Sequence, residues 1–248
     1  MGALLVIIAL VGAWELYADF GPVESFLLPP PHQVGQALVD DRSLLWSNFT
    51  VTAQEVALGM LLATVAGIAL AVLIHLSPTV RRAVYPLLIG SQSIPLPIYA
   101  PLLVAWLGYD IAPKLAIVAL ICFFPIVVTV RDGLAAVDPE LLKLMRTLDA
   151  SRWRTLRVVE APSALPALFS GLRIAVTVAM IGAVFAELSG SSDGLGHLIQ
   201  QSIPQFETAR AYAAVAVLSV FAVALVAVLT VAERRLLPWA HASRGAAS

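Results

Sequence analysis

Five basic side chains, Lys143, Arg146, Arg152, Arg154 and Arg157, share one polar interval, VDPELLKLMRTLDASRWRTLRVVEAPSALP, between two apolar runs. Their chemistry is recognition rather than bond making. A guanidinium presents a fixed fork of donors to an anionic partner, and no nucleophile paired with a base accompanies these. The chain has two lysines, Lys114 and Lys143, and neither follows a Gly-rich phosphate-binding turn. The histidines, His32, His75, His197 and His241, are scattered and lack metal-ligand spacing. No serine sits in a nucleophile elbow. No interleaved aromatics turn the basic residues into a nucleic-acid stripe, so no nucleic-acid partner is expected. Nothing supports an enzyme, and no metal or cofactor is expected in this chain.

The charges need something to hold them out, and the interval reads as two short helices joined by a tight turn. Asp138 can cap the first, with Pro139 at its first position and Glu140 in its first turn. LLKLMRTL supplies helix formers. Asp149 offers a turn residue and a cap for the second helix, ASRWRTLRVV, which Pro162 and Pro166 stop or bend into the next segment. Lys143, Arg146, Thr147, Leu148, Asp149, Ala150, Ser151 and Arg152 then form the elbow that a partner would read.

The elbow's surroundings are lipid-like. Of 248 residues 60% are hydrophobic and only 12% charged, about half the charge of a soluble domain. Counted against the roughly 20 residues a spanning helix needs, the apolar runs give six spans in a single domain, at about 2–17, 51–76, 85–107, 115–130, 167–188 and 211–232. The cytoplasmic coupling region, at 131–166, contains the polar interval. The first run could be a signal peptide, but it lacks a positive start and a small-x-small cleavage site, and is read as a span. Residues 21–50 read as an irregular connection with one short helix near 34–39. Another short helix, surface or re-entrant, is expected at 195–202. Small residues recur every four positions in the second span (Gly59, Ala63, Gly67, Ala71) and the fifth (Gly171, Ala175, Ala179, Ala183), making ridges that helices can approach closely. The lone Cys122 excludes an internal disulfide and reads as a buried core residue.

The third span contains QSIPLPIYAP, with Pro95, Pro97 and Pro101. Broken backbone at membrane depth is tolerated inside protein or along a wet cavity. Gln92, Ser93, Pro95, Pro97 and Tyr99 are thus candidates for lining a pathway; a plain structural kink is the alternative. With no cation among them, a dedicated anion site is disfavoured. Two acids, Glu55 and Glu187, stand near span ends. Each is either an interfacial acid with a hydrogen-bond partner or a functional group, and Glu187, on the fifth-span ridge, joins the pathway candidates.

Threading the chain with its N-terminus inside places 12 of the 15 basic residues at the cytoplasmic face: Arg81, Arg82, Arg131, Lys143, Arg146, Arg152, Arg154, Arg157, Arg173, Arg234, Arg235 and Arg244. Only Arg42, Lys114 and Arg210 fall outside. The positive-inside rule therefore puts both termini and the elbow in the cytoplasm, with Arg173 snorkelling to headgroups.

The elbow resembles the EAA loop of permease subunits in binding-protein-dependent ATP-binding-cassette (ABC) importers. That pattern is E-A-A, three residues, G, nine residues, then I-x-L-P; the aligned positions here are Lys143, Leu144 and Met145, then Asp149, then Val159, Ala161 and Pro162. LLPPPHQV (27–34), QSIP (92–95), APLLVAWLG (100–108), CFFPI (122–126) and ERRLLPW (233–239) are similar to the nitrate, sulfonate and taurine branch, which includes permeases for thiamine-pyrimidine precursors and riboflavin. The family's acid is replaced by Lys143 and its glycine by Asp149, a residue that tolerates positive φ. The resemblance implies an all-α type I importer permease in a bacterial inner membrane, working as a homodimer. ATPase subunits carrying ATP and Mg would dock on the elbow, and a soluble binding protein would deliver the solute: a sulfonate, a nitrate-like anion or a pyrimidine or vitamin precursor. LSGSS (188–192) is a chance likeness to the signature of ABC ATPases, since no phosphate loop accompanies it. The rival reading, an ion-coupled transporter or channel, would want an ionisable pair at mid-membrane and an internal repeat, and neither is visible.

Overall fold

The computed structural model describes residues 2–239. Arg244 and His241 lie outside the described residues, as does the side chain of Pro97. Every described element is helical. In chain order these are α1 (Gly2–Phe20), α2 (Pro31–Asp40), α3 (Arg42–Leu76), α4 (Pro78–Ser91), α5 (Leu96–Leu107), α6 (Ile111–Ala135), α7 (Pro139–Thr147), α8 (Arg152–Thr155), a wide π turn (Leu156–Glu160), α9 (Ala161–Leu188), α10 (Leu195–Ser202) and α11 (Thr208–Leu236).

Four stretches are long and apolar enough to cross a membrane: Arg42–Leu76, Ile111–Ala135, Arg152–Leu188 and Thr208–Leu236. Each outruns the span read from hydropathy, because polar residues continue the helix beyond the lipid. At 35 residues, α3 is about 52 Å long at 1.5 Å per residue, well over the roughly 30 Å of hydrocarbon. It thereby absorbs much of what the sequence reads as an irregular connection. The third apolar stretch is divided between α4 and α5. Only Gln92 to Pro95 leave the helix. Pro95 precedes α5 with extended backbone, φ −61° and ψ 132°, and Pro97 falls in the first turn, where a missing N–H costs nothing. Pro101 stays inside α5, so the prolines leave one short break rather than a shattered span.

The core is organised around α6. Both small-residue ridges are buried, and both pack on this helix. A Cβ on Gly59 would come within 2.6 Å of Val118, and one on Gly67 within 2.9 Å of Ile126. On the α9 side, Gly171 sits against Thr129, and the Cys122 thiol points at the Ala175 carbonyl 3.4 Å away. Close approach of this kind lets dispersion forces hold helices that lipid gives no hydrophobic reason to associate. By contrast α11 turns most of its length outward, with Val215, Val220, Val223 and Val228 exposed.

Candidate functional site

The elbow keeps its expected start and changes its end. The Asp138 carboxylate accepts a hydrogen bond from the Glu140 N–H at 2.8 Å, capping α7. Asp149 stands in the left-handed region at φ 49°, as the turn requires. The cap of the second helix, however, is Ser151, whose hydroxyl accepts from the Arg154 N–H. Nor is that helix a separate piece. From Arg152 it runs through the π turn directly into α9. Pro162 explains the widened turn: its ring cannot accept an ordinary α-helical carbonyl four residues earlier and it lacks the N–H to bond one. The elbow is therefore α7 plus the first turns of the longest spanning helix.

Its surface is open. Lys143 pairs with Glu140 at 2.7 Å, both groups being largely exposed. Arg146, Thr147, Leu148, Asp149, Ser151, Arg152, Arg154 and Arg157 are exposed and Ala150 is half-buried. Leu141, Leu144, Leu148 and Trp153 expose apolar surface beside these cations. The Arg146 guanidinium has no ion-pair or hydrogen-bond partner among the described residues. Arg152 reaches inward instead, to Glu160 at 3.5 Å, and the opposite carboxylate oxygen lies 3.0 Å from His75 at the end of α3.

About 30 Å away, twenty residues back along α3, lies a second polar cluster of opposite character. Glu55 on α3 is buried and pairs with Lys114 on α6 at 2.7 Å; the same ammonium donates to Ser191 at 2.6 Å. Beside it, three successive backbone N–H groups at the start of α10 are taken by side chains. Gly194 donates to Asn48, Leu195 to Thr52 and Gly196 to Glu187, at 2.8, 2.9 and 2.5 Å. Thr52 also donates to the Glu187 carboxylate at 2.6 Å. A carboxylate at a helix N-terminus suits the unpaired donors and the helix dipole. Gly196 has to be small here, since a Cβ would sit 2.8 Å from a Glu187 oxygen.

This arrangement separates Glu187 from the other pathway candidates. The break between α4 and α5 opens a 290 Å³ cavity lined by Ser91, Gln92, Ile94, Pro95 and Tyr99, with Leu120 and Ile121 of α6 and Val178 and Ile181 of α9. Neither Glu187 nor Ser93 lines it. Tyr99 donates its hydroxyl hydrogen bond to the Ser91 carbonyl, 3.2 Å away, across the break. Sequence reasoning missed Asn48, Thr52 and Lys114 as members of the Glu187 and Glu55 cluster. The available signal was the paired Gly194 and Gly196 shortly after an acid on a packed ridge.

Two of the basic residues assigned to the far face have partners within the protein. Lys114 is held by Glu55, and Arg210 chelates Asp41 with two bonds of 2.7 and 3.0 Å while also meeting Glu207. Their positive charge is neutralised within the protein. Arg173 pairs with Glu233, tying α9 to α11.

Comparison with known proteins decides the family. Residues 63–240 match the model of the binding-protein-dependent transport system inner membrane component. The chain belongs to this family. It is 39% identical over 215 residues to a probable ABC transporter permease of Haemophilus influenzae, covering 87% of this chain and 88% of the relative. It is 36% identical to the formylaminopyrimidine transport permease ThiX of Halalkalibacterium halodurans, covering 95% of this chain and 94% of that one. The fold is that of the inward-facing MetNI methionine ABC transporter, with TM-score 0.65 and 20% identity over 79% of this chain and 96% of that chain. This permease is thus a multi-pass, all-helical inner-membrane subunit of an ABC importer, and ATP hydrolysis falls to separate subunits. An ion-coupled transporter is set aside.

Proposed function

We propose that this permease couples ATP hydrolysis to import through the α7–α8 elbow, and that it does so as a homodimer of six-span subunits. The spans are α1, α3, the α4–α5 pair, α6, α9 and α11. Both termini and the elbow face the cytoplasm, and α10 faces the binding protein. The observation that carries this reading is the elbow itself. It presents an unpaired Arg146 among exposed Leu141, Leu144, Leu148 and Trp153, at the end of the bundle where the basic residues collect. Cations ringed by apolar surface make a seat for a protein partner. Closure of the ATPase dimer would move α7, and the unbroken helix from Arg152 to Leu188 would carry that motion to the α10 end. Gln92, Ser93, Pro95, Pro97 and Tyr99 would face the pathway between two copies, and the cavity beside the α4–α5 break would open onto it.

A cysteine at Arg146 tests the docking. The native Cys122 is buried and should give little labelling background. In the assembled complex the introduced thiol should crosslink to the ATPase, and Arg146→Glu should abolish uptake while the permease stays folded. A crosslink only to a protein on the far face, or normal uptake by the charge-reversed variant, would overturn the assignment.

The solute we assign to the same reading is a small neutral nitrogen heterocycle. Among the described residues no charged side chain lines the cavity, whereas the Gln92 amide and the Tyr99 ring do. The relationship to a formylaminopyrimidine permease agrees. Binding protein loaded with formylaminopyrimidine should stimulate ATP hydrolysis by the complex. Stimulation by a taurine-loaded protein alone would reverse the choice.

A further inference from the structure

The sequence draws attention to the exposed cations, but the residue that joins them to the bundle is an acid. Glu160 lies in the π turn, 1% exposed. A buried carboxylate is stable only while its oxygens are held by partners. Glu160 has one on each side: Oε2 is 3.0 Å from His75 Nε2 and Oε1 is 3.5 Å from an Arg152 Nη. These partners differ in kind. The His75 side chain is 13% exposed and belongs to the last turn of α3; the Arg152 side chain is 56% exposed and belongs to the elbow. Arg152 also comes within 3.4 Å of His75, so all three groups meet at one point. π turns are uncommon and collect at functional positions, and this one turns Glu160 inward between the elbow and α3.

We propose that Glu160 is the positioning residue that passes the engagement of the elbow to α3. The inference rests on the docking reading above. An acidic group on the docked ATPase would compete with Glu160 for the exposed guanidinium of Arg152. As Arg152 is drawn outward, Glu160 is left with His75 alone, and the end of α3 must adjust to keep that carboxylate satisfied. Because α3 also holds Asn48, Thr52 and Glu55 at its other end, its adjustment reaches the α10 cluster. The elbow therefore acts on two helices, on α9 through covalent continuity and on α3 through Glu160.

The test uses the complete complex of permease, ATPase and binding protein in proteoliposomes, and reads ATP hydrolysed per solute imported. Glu160→Gln should raise that ratio about fivefold or more, the low end of typical coupling between sites. Arg152→Ala should raise it similarly, Arg152→Lys should restore part of the loss, and the Glu160→Gln/Arg152→Ala double variant should be no worse than the poorer single one. An unchanged ratio in Glu160→Gln, or losses that multiply in the double variant, would overturn the proposal. If Glu160→Gln fails to assemble, the exposed Arg152→Ala and Arg152→Lys pair decides, and no recovery with lysine counts against it. The crosslink from a cysteine at position 146 separates the two readings. Its absence defeats docking at the elbow, whereas its persistence beside an unchanged ratio defeats the role of Glu160 alone.

Discussion

The two ends of α3 solve the same electrostatic problem in opposite ways. At the α10 end, Glu55, Glu187, Thr52 and Asn48 are buried and Lys114 is largely covered, and their bonds are short, several near 2.6 Å. At the α7 end only Glu160 is fully buried, its contacts are 3.0 and 3.5 Å, and one partner is half in solvent. A tightly bonded buried cluster fixes one geometry, since any displacement strands a charge. A loosely held acid with an exposed partner can exchange that partner at small cost. One end is built to stay and the other to be handled. That contrast fits a subunit that must hold a rigid face toward one protein while another pulls on it.

The sharpest way to break the comparison is Lys114→Met. Glu55 Oε2 takes no hydrogen bond, so Lys114 is the principal support of that carboxylate. Losing it should destabilise the permease by about 3–5 kcal/mol, the cost of stranding a buried charge, and thermal unfolding of the purified protein in detergent would show it. A shift no larger than that of a surface variant would mean that water reaches Glu55 and that the α10 end is as open as the elbow.

Glu187→Gln should come next. The amide keeps an acceptor for only one of the Gly196 N–H and the Thr52 hydroxyl and turns a donor toward the other. The expected loss is about 1–3 kcal/mol, concentrated in α10, whose amides should exchange hydrogen faster while those of α6 stay protected. Equal acceleration throughout the bundle would show that Glu187 supports the core rather than α10.

The sequence showed these ends unequally, for physical reasons. Small residues every four positions identify packing faces because close approach between helices is a local property of the pattern, and both ridges do meet α6. The turn at Asp149 was legible for the same reason: φ is set by the residue and its neighbours. Helix limits were not, because Arg42, Lys114 and Arg131 are polar yet remain helical once paired or clear of the lipid. The bonds of Glu187 were not legible because its partners, Thr52 and Gly196, come from other elements, and pairing across 135 residues leaves no periodic trace. Pro162 reads as a stop or as a bend into the next segment. It became a π turn because the chain could widen by one residue and keep the axis of α9, a choice made by packing.

The smallest effect belongs to the most visible departure from the family pattern. Asp149 stands at φ 49°, where an L-residue pays about 1–2 kcal/mol relative to the right-handed region and glycine pays nothing comparable. Glycine costs about 0.4–1 kcal/mol through the added freedom of the unfolded chain. The two nearly cancel, and the exposed Asp149 side chain makes no hydrogen bond within the described residues that glycine would lose. Asp149→Gly should therefore change stability by less than about 1 kcal/mol and leave uptake intact, in contrast to any substitution in the α10 cluster. Loss of uptake with unfolding unchanged would show that the carboxylate itself touches the ATPase. The aspartate would then belong to the docking surface, and the α7 end would be specified by side chains as closely as the α10 end is.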